Sequence, residues 1–142
     1  MIVNIFVDTN VLLYARDASE PVKQSVAARR IDQLWEGQNG RLSVQVLNEY
    51  FVNVTRKLNP GLSPDEAWDD VEALSVWDPV AIDMPLIQRG YAVQRRYHLS
   101  WWDSLIVAAA EATSCTTILS EDLTHSAQYF GITVENPFLA PS

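Results

Sequence analysis

Short β-branched runs that end on polar residues alternate along this chain with longer stretches whose apolar residues recur at helical spacing. Strands and helices taken in turn imply an α/β fold, a sheet with helices on its faces. Five runs are strand candidates: Ile2–Val7, Leu42–Val44, Val80–Ile82, Thr116–Leu119 and Ile132–Val134. A helix is expected from about Val11, another from Pro21 to Trp35, ended by Gly37 to Gly40, and a third along Leu47, Phe51, Val54 and Leu58, stopped by Asn59-Pro60-Gly61. Ser63-Pro64-Asp65-Glu66 is a helix start with an N-cap serine, a first-turn proline and a capping-box glutamate, running to near Ser75. Asp83 caps a helix over Leu86–Tyr97, Ser100 caps an apolar one through Ala108–Ala110, and Leu123–Phe130 is expected to be a short helix.

At 142 residues this is one domain with a core of its own, read as residues 1–136 with a Pro-rich tail at 137–142. No repeat or linker divides it. No window is apolar for long enough to span a bilayer, and the first segment runs into Asp8 rather than a cleavage site, so it reads as a strand. A single cysteine, Cys115, excludes an intrachain disulfide and suits a buried thiol in a cytoplasmic protein. The net charge of -8 argues against a dedicated nucleic-acid binder, unless part of it is gathered where divalent cations bind.

Position selects among the 18 acidic residues. Asp8 follows the first strand and Asp122 the Thr116–Leu119 strand, and open parallel sheets bind ligands beyond the carboxyl ends of strands where strand order reverses. If these strands are neighbours there, the two carboxylates share one crevice. Asp103, in the first turn of the buried helix, and Glu49, off the apolar stripe of its helix, are the further candidates. Each has a plainer reading: Asp8 and Asp103 as helix-terminus residues, Asp122 as a turn residue, Glu49 as a solvated one. Together they make a different case. Two carboxylates about 5 Å apart at an effective dielectric near 20 repel by roughly 3 kcal/mol, so such a cluster must bind protons or a cation. Oxygen ligands without Cys or His select a hard ion, Mg²⁺ or Mn²⁺, and phosphodiester hydrolysis is the reaction class this favours.

Four motifs, Val7-Asp8-Thr9-Asn10-Val11-Leu12, Val46-Leu47-Asn48-Glu49-Tyr50, Trp102-Asp103-Ser104-Leu105-Ile106 and Leu119-Ser120-Glu121-Asp122-Leu123, resemble in order and spacing those of the PIN-domain ribonucleases, and among them the VapC toxins of toxin–antitoxin pairs. The resemblance covers nearly the whole chain. It implies a three-layer α/β/α fold with a parallel sheet, and an acidic site at Asp8, Glu49, Asp103 and Asp122 holding one or two Mg²⁺ or Mn²⁺ ions while water attacks an RNA phosphodiester. Asp8, Asp103 and Asp122 would bind metal most directly and Glu49 partly through water, with Thr9, Asn10 and Ser120 orienting the carboxylates. It implies a homodimer as well, held inactive by a VapB-type antitoxin.

Trp101-Trp102 departs from the family, where smaller aromatics are usual; an indole there stacks on an RNA base or packs in the core or a dimer interface. Arg29-Arg30, Arg56-Lys57 and Arg95-Arg96 face phosphates, an acidic antitoxin tail, or solvent. His98 and His125 are too isolated to form a metal site or a triad. Aspartyl phosphatases fit poorly, because Asn10 stands where their second aspartate belongs, and receiver domains fit poorly because no lysine follows Lys57. A binding module that keeps the fold without catalysis is the rival of another class.

Overall fold

Ile5, Phe6 and Val7 build the inner strand β1 (Asn4–Val7), and Phe6 and Val7 have no exposed surface. The computed structural model describes residues 2–139. Strands β2 (Gly40–Arg41), β3 (Cys115–Leu119), β4 (Gln128–Tyr129) and β5 (Ile132–Glu135) complete a five-stranded sheet ordered β2-β1-β3-β5-β4. All pairs are parallel except β4 with β5. From β1 the chain first adds β2 on one side and later β3 on the other, so the order reverses between β1 and β3, where Val7 pairs with Leu119. That reversal opens a crevice at the carboxyl ends of both strands.

Helices α1 (Thr9–Tyr14), α2 (Pro21–Gly37), α3 (Val44–Arg56), α4 (Pro64–Leu74), α5 (Met84–Tyr97) and α6 (Trp101–Ala112) flank the sheet. The helix starts follow local chemistry. Ser63 and Glu66 form the reciprocal capping box, the Asp83 carboxylate accepts from Leu86 N–H, and Ser100 Oγ accepts from Asp103 N–H. Helix α6 is buried from Ser104 through Ala110, and burying Leu105 and Ile106 stabilises the fold by roughly 1.5–3 kcal/mol each. It packs on α5 at close range, since a Cβ on Gly90 would stand 2.8 Å from Leu105 Cδ2. No helix among the described residues is long and apolar enough to cross a membrane, and Cys115 is a buried free thiol whose burial raises its pKa to about 11.

Several boundaries differ from expectation. Leu42–Val44 is not a strand: the pairing residues are Gly40 and Arg41, while Ser43 Oγ accepts from Val46 N–H and turns the chain into α3. Val80–Ile82 contributes only an isolated bridge from Val80 to Ser43, because Asp83 already caps α5. The expected helix over Leu123–Phe130 is absent. Ser126, Phe130 and Gly131 all take positive φ (69°, 50° and 83°), which a right-handed helix cannot propagate. Phe130-Gly131 is instead a two-residue turn of the kind that suits hairpin twist, and it joins β4 to β5 antiparallel, so the sheet is mostly rather than wholly parallel. In α3 the most buried line is Val46, Tyr50 and Val54, with Leu47 and Phe51 only partly covered and Leu58 beyond the helix end. Of the expected tail, Phe138 packs edge-on against Tyr14 at 4.8 Å between ring centres, and 140–142 lie outside the described residues.

Candidate active site

The crevice between β1 and β3 has Asp8 at its floor. Its N–H donates to Leu119 O at 3.0 Å, extending the strand pairing by one residue before α1 begins. The carboxylate then caps α1: Oδ1 accepts from Thr9 N–H at 2.8 Å, and Oδ2 accepts from Ser120 Oγ at 2.8 Å and from Asn10 Nδ2 at 3.2 Å. Capping and a site role are therefore compatible for this residue. Burial pushes the Asp8 carboxyl up to about 6, against the pull of the Ser120 and Thr9 hydrogen bonds, and repulsion from Asp122 and Glu49 pushes the same way as burial.

Ser120, fully buried, organises the loop beyond β3. While donating to Asp8, its Oγ accepts from the Asp122 and Leu123 N–H groups at 3.2 Å each, so the turn carrying Asp122 is pinned to the floor of the crevice. Asn10 clamps from the other side: Nδ2 reaches Asp8, and Oδ1 accepts from Glu121 N–H at 2.9 Å. Asp122 itself is exposed at the rim.

Glu49 arrives from α3. Thr9 Oγ1 donates to Glu49 Oε2 at 2.8 Å, and Gln45 Nε2 donates to Oε1 at 3.2 Å. Gln45 Nε2 also lies 3.3 Å from Trp102 O, tying α3 to the first turn of α6, where Asp103 sits. Asp103 is half-buried and is felt electrostatically at Tyr129, whose phenol is pushed up by burial first and by that charge second. The structure thus brings Asp122 and Glu49 each within electrostatic range of Asp8, with Thr9, Asn10 and Ser120 bonded among them. Asp103 is joined to this set through its helix and Gln45 and shows no side-chain contact with the other three.

Three residues escaped sequence reasoning. Gln45, buried four residues before Glu49, is a polar residue on the core side of an amphipathic helix, and that spacing was the available signal. Lys23 and Tyr14 hold Glu121 by bonds of 2.7 Å each, and no local pattern pairs residues so far apart in sequence. The histidines stay outside: His98 ends α5 in the left-handed region, and exposed His125 accepts from Asn136 N–H. Trp101 is half-buried and close to Gly90 of α5, while Trp102 is 58% exposed.

The donor set fits a hard divalent cation. It is oxygen only, and a carboxyl held near 6 by burial and by two neighbouring carboxylates gains from a positive charge beside it. As the side chains stand, no group of three or more His, Cys, Asp or Glu among the described residues converges closely enough to hold an ion. Glu49 is held by its bonds from Thr9 and Gln45.

Comparison with known proteins places this geometry in context. No curated protein matches the sequence. Among solved structures, Mycobacterium tuberculosis VapC20, described as a sarcin-ricin loop cleaving toxin, superposes with a TM-score of 0.62 at 17% identity, over 84% of this chain and 90% of that one. A chain from the structure of FitAB bound to an IR36 DNA fragment superposes with a TM-score of 0.67 at 22% identity, over 97% of this chain and 98% of that one. At these identities the likeness is one of fold. The PIN domain family model matches residues 5–130, nearly the whole described chain, and this protein therefore belongs to the PIN-domain family.

Proposed function

We propose that this protein is a divalent-cation-dependent endoribonuclease, the toxin of a VapBC- or FitAB-type pair, acting in the cytoplasm as a homodimer and neutralised by a VapB-type antitoxin. The observation that carries the reading is Asp8: a buried carboxylate at the strand-order reversal, pushed up to about 6 and facing two further carboxylates. A lone cap residue has no need of that surrounding. Support for the biological setting comes from family membership and from the fold shared with VapC20 and FitAB.

In this reading Asp8, Asp103 and Asp122 hold Mg²⁺ or Mn²⁺, with Glu49 acting partly through water. When bound, the ion activates a water and stabilises charge on the phosphoryl oxygens of RNA. The protein's own work is positional. Ser120, Asn10 and Thr9 hold the Asp8 oxygens in fixed directions, leaving the carboxylate little freedom to turn away. Thr9 and Gln45 do the same for Glu49 from two sides. Ser120 also pins the Asp122 turn, so one hydroxyl couples the floor of the crevice to its rim.

The test is incubation of purified protein with structured RNA in Mg²⁺, in Mn²⁺ and in EDTA, with Asp8→Asn run alongside. Metal-dependent cleavage by the wild type alone is the expected result. Folded protein that neither cleaves nor binds Mn²⁺ by calorimetry would overturn it in favour of a non-catalytic binding module.

A further inference from the structure

Trp102 is a large side chain beside the site that the site's hydrogen bonds leave unexplained. It occupies the second position of α6, next to Asp103, and 58% of its surface is exposed although an indole is mainly apolar. Its neighbour Trp101 turns toward α5, so the exposure belongs to one indole and not to the pair. The backbone of Trp102 is fixed to the carboxylates: one amide, Gln45 Nε2, bonds both Trp102 O and Glu49 Oε1. Ser100 locks the same turn by accepting from Asp103 N–H and, through its carbonyl, from Ser104 Oγ. The indole therefore stands on a rigid mount beside the site.

The charges nearby suit the same ligand. Four of the ten basic residues, Arg16, Lys23, Arg30 and Arg89, are in ion pairs with carboxylates. Arg95 and Arg96 have no such partner among the described residues. They close the last turn of α5, directly before the short connection into Ser100 and Trp102. Each guanidinium lies over a tyrosine of its own helix, Arg95 at 5.8 Å from the Tyr91 ring centre and Arg96 at 5.1 Å from that of Tyr97, so neither charge is neutralised; in a chain of net charge -8, two such groups ahead of an exposed indole mark a local departure from the acidic surface. Phosphates next to a flat base match that combination; an acidic peptide matches the arginines and leaves the indole without a partner.

Resting on the nuclease reading above, we propose that Trp102 is a positioning residue for substrate: an unpaired base of single-stranded RNA flanking the cleaved phosphodiester stacks on its indole, with Arg95 and Arg96 meeting adjacent phosphates. Stacking is tolerant of base identity, so this contact fixes the register of the strand over the carboxylates without dictating sequence. It also favours loops and unpaired segments over duplex, whose bases are already stacked.

The experiment measures steady-state cleavage of a fluorescent single-stranded oligoribonucleotide in Mn²⁺ by the full-length wild type, Trp102→Ala and Trp102→Phe, with light scattering on each. Trp102→Ala is expected to raise KM roughly 10- to 100-fold with kcat within a few-fold, and Trp102→Phe to restore KM to within a few-fold of wild type. An abasic residue is then walked through the positions flanking the cut. At one position it should raise the wild-type KM to that of Trp102→Ala and leave the variant unchanged. An unchanged KM in Trp102→Ala, or no abasic position that removes the difference, overturns the stacking contact while cleavage by the wild type keeps the nuclease reading. Conversion of a wild-type dimer to monomer by Trp102→Ala overturns it in favour of a subunit contact. Absence of wild-type cleavage overturns both.

Discussion

Ser120 Oγ donates to Asp8 Oδ2 across 2.8 Å, joining the exits of two neighbouring parallel strands by residues 112 positions apart. The same oxygen accepts two backbone N–H groups of the Asp122 turn, so one buried hydroxyl satisfies a carboxylate and shapes the loop that brings the second carboxylate to it. Hydroxyl, carboxylate and backbone groups thus form one buried polar network, and such networks are destabilising when broken.

Ser120→Ala is accordingly expected to lose roughly 1–3 kcal/mol of stability, since it strands buried polar groups as well as removing a bond. Because the Ser120 bond holds the Asp8 carboxyl down, its loss should move the acidic limb of the cleavage pH profile upward. Urea titration and a pH–rate series on the two proteins check this. A variant as stable as wild type with an unmoved limb would show that the hydroxyl is incidental.

Asp8 sets a pH dependence of definite sign. Its carboxyl titrates near 6 in the fold against an ordinary 3.8, so the folded state binds that proton more tightly than the unfolded chain. The stabilising contribution of the bound proton is complete below about pH 4 and is lost as pH rises through 6, a change of about 3 kcal/mol in all. Asp8→Asn keeps a residue able to cap α1 and removes the charge. In EDTA the variant should melt above wild type at pH 7.5, with the gap closing toward pH 4. A lower melting temperature for the variant at pH 7.5 would mean the carboxylate serves α1 alone.

Glu121 has the opposite sign. Burial pushes its carboxyl up, but hydrogen bonds from Lys23 and Tyr14 outweigh burial and leave it below the ordinary 4.5. Its contribution is present above that value and fades as pH falls through the lowered one. Because the pair with Lys23 is partly exposed, Glu121→Gln should lose less than about 1 kcal/mol at pH 7. The difference should vanish in strong acid. Chemical denaturation at both pH values would reveal a constant gap if charge were not the cause.

Gly40→Ala tests packing far from the carboxylates. A Cβ there would stand 2.6 Å from the ring of Trp77, which is buried and packed against Trp35 at 5.1 Å between ring centres. With the ring held in its present place by Trp35, a loss of roughly 1–3 kcal/mol is expected. Indole fluorescence followed through a urea titration measures it, and an unaltered midpoint would mean that β2 shifts to make room.

Local chemistry was readable without the fold. The capping box at Ser63 and Glu66, the caps at Asp83 and Ser100, and the apolar run that buries α6 each depend on residues within a few positions of one another. The carboxylates Asp8 and Asp122 were readable as strand exits, because a polar residue ending a β-branched run signals where the sheet stops. Local pattern misled where a backbone choice was settled elsewhere. Leu123–Phe130 has a composition open to helix or hairpin, and pairing of Tyr129 with Ile132 along the free edge of β5 decided for the hairpin. Ser43 ended a plausible strand because its hydroxyl was taken up by α3.

By itself, then, the sequence determined the α/β alternation, the helix starts and the positions of the candidate carboxylates, all properties of neighbouring residues and their periodicity. Tertiary structure alone decided that β1 and β3 lie side by side, that Ser120 reaches Asp8, that Gln45 links Glu49 to Trp102, and that Lys23 claims Glu121. The raised pKa of Asp8 belongs to this second group. Desolvation and repulsion arise from atoms brought near by folding, and no feature of Val7-Asp8-Thr9 taken alone carries that energy.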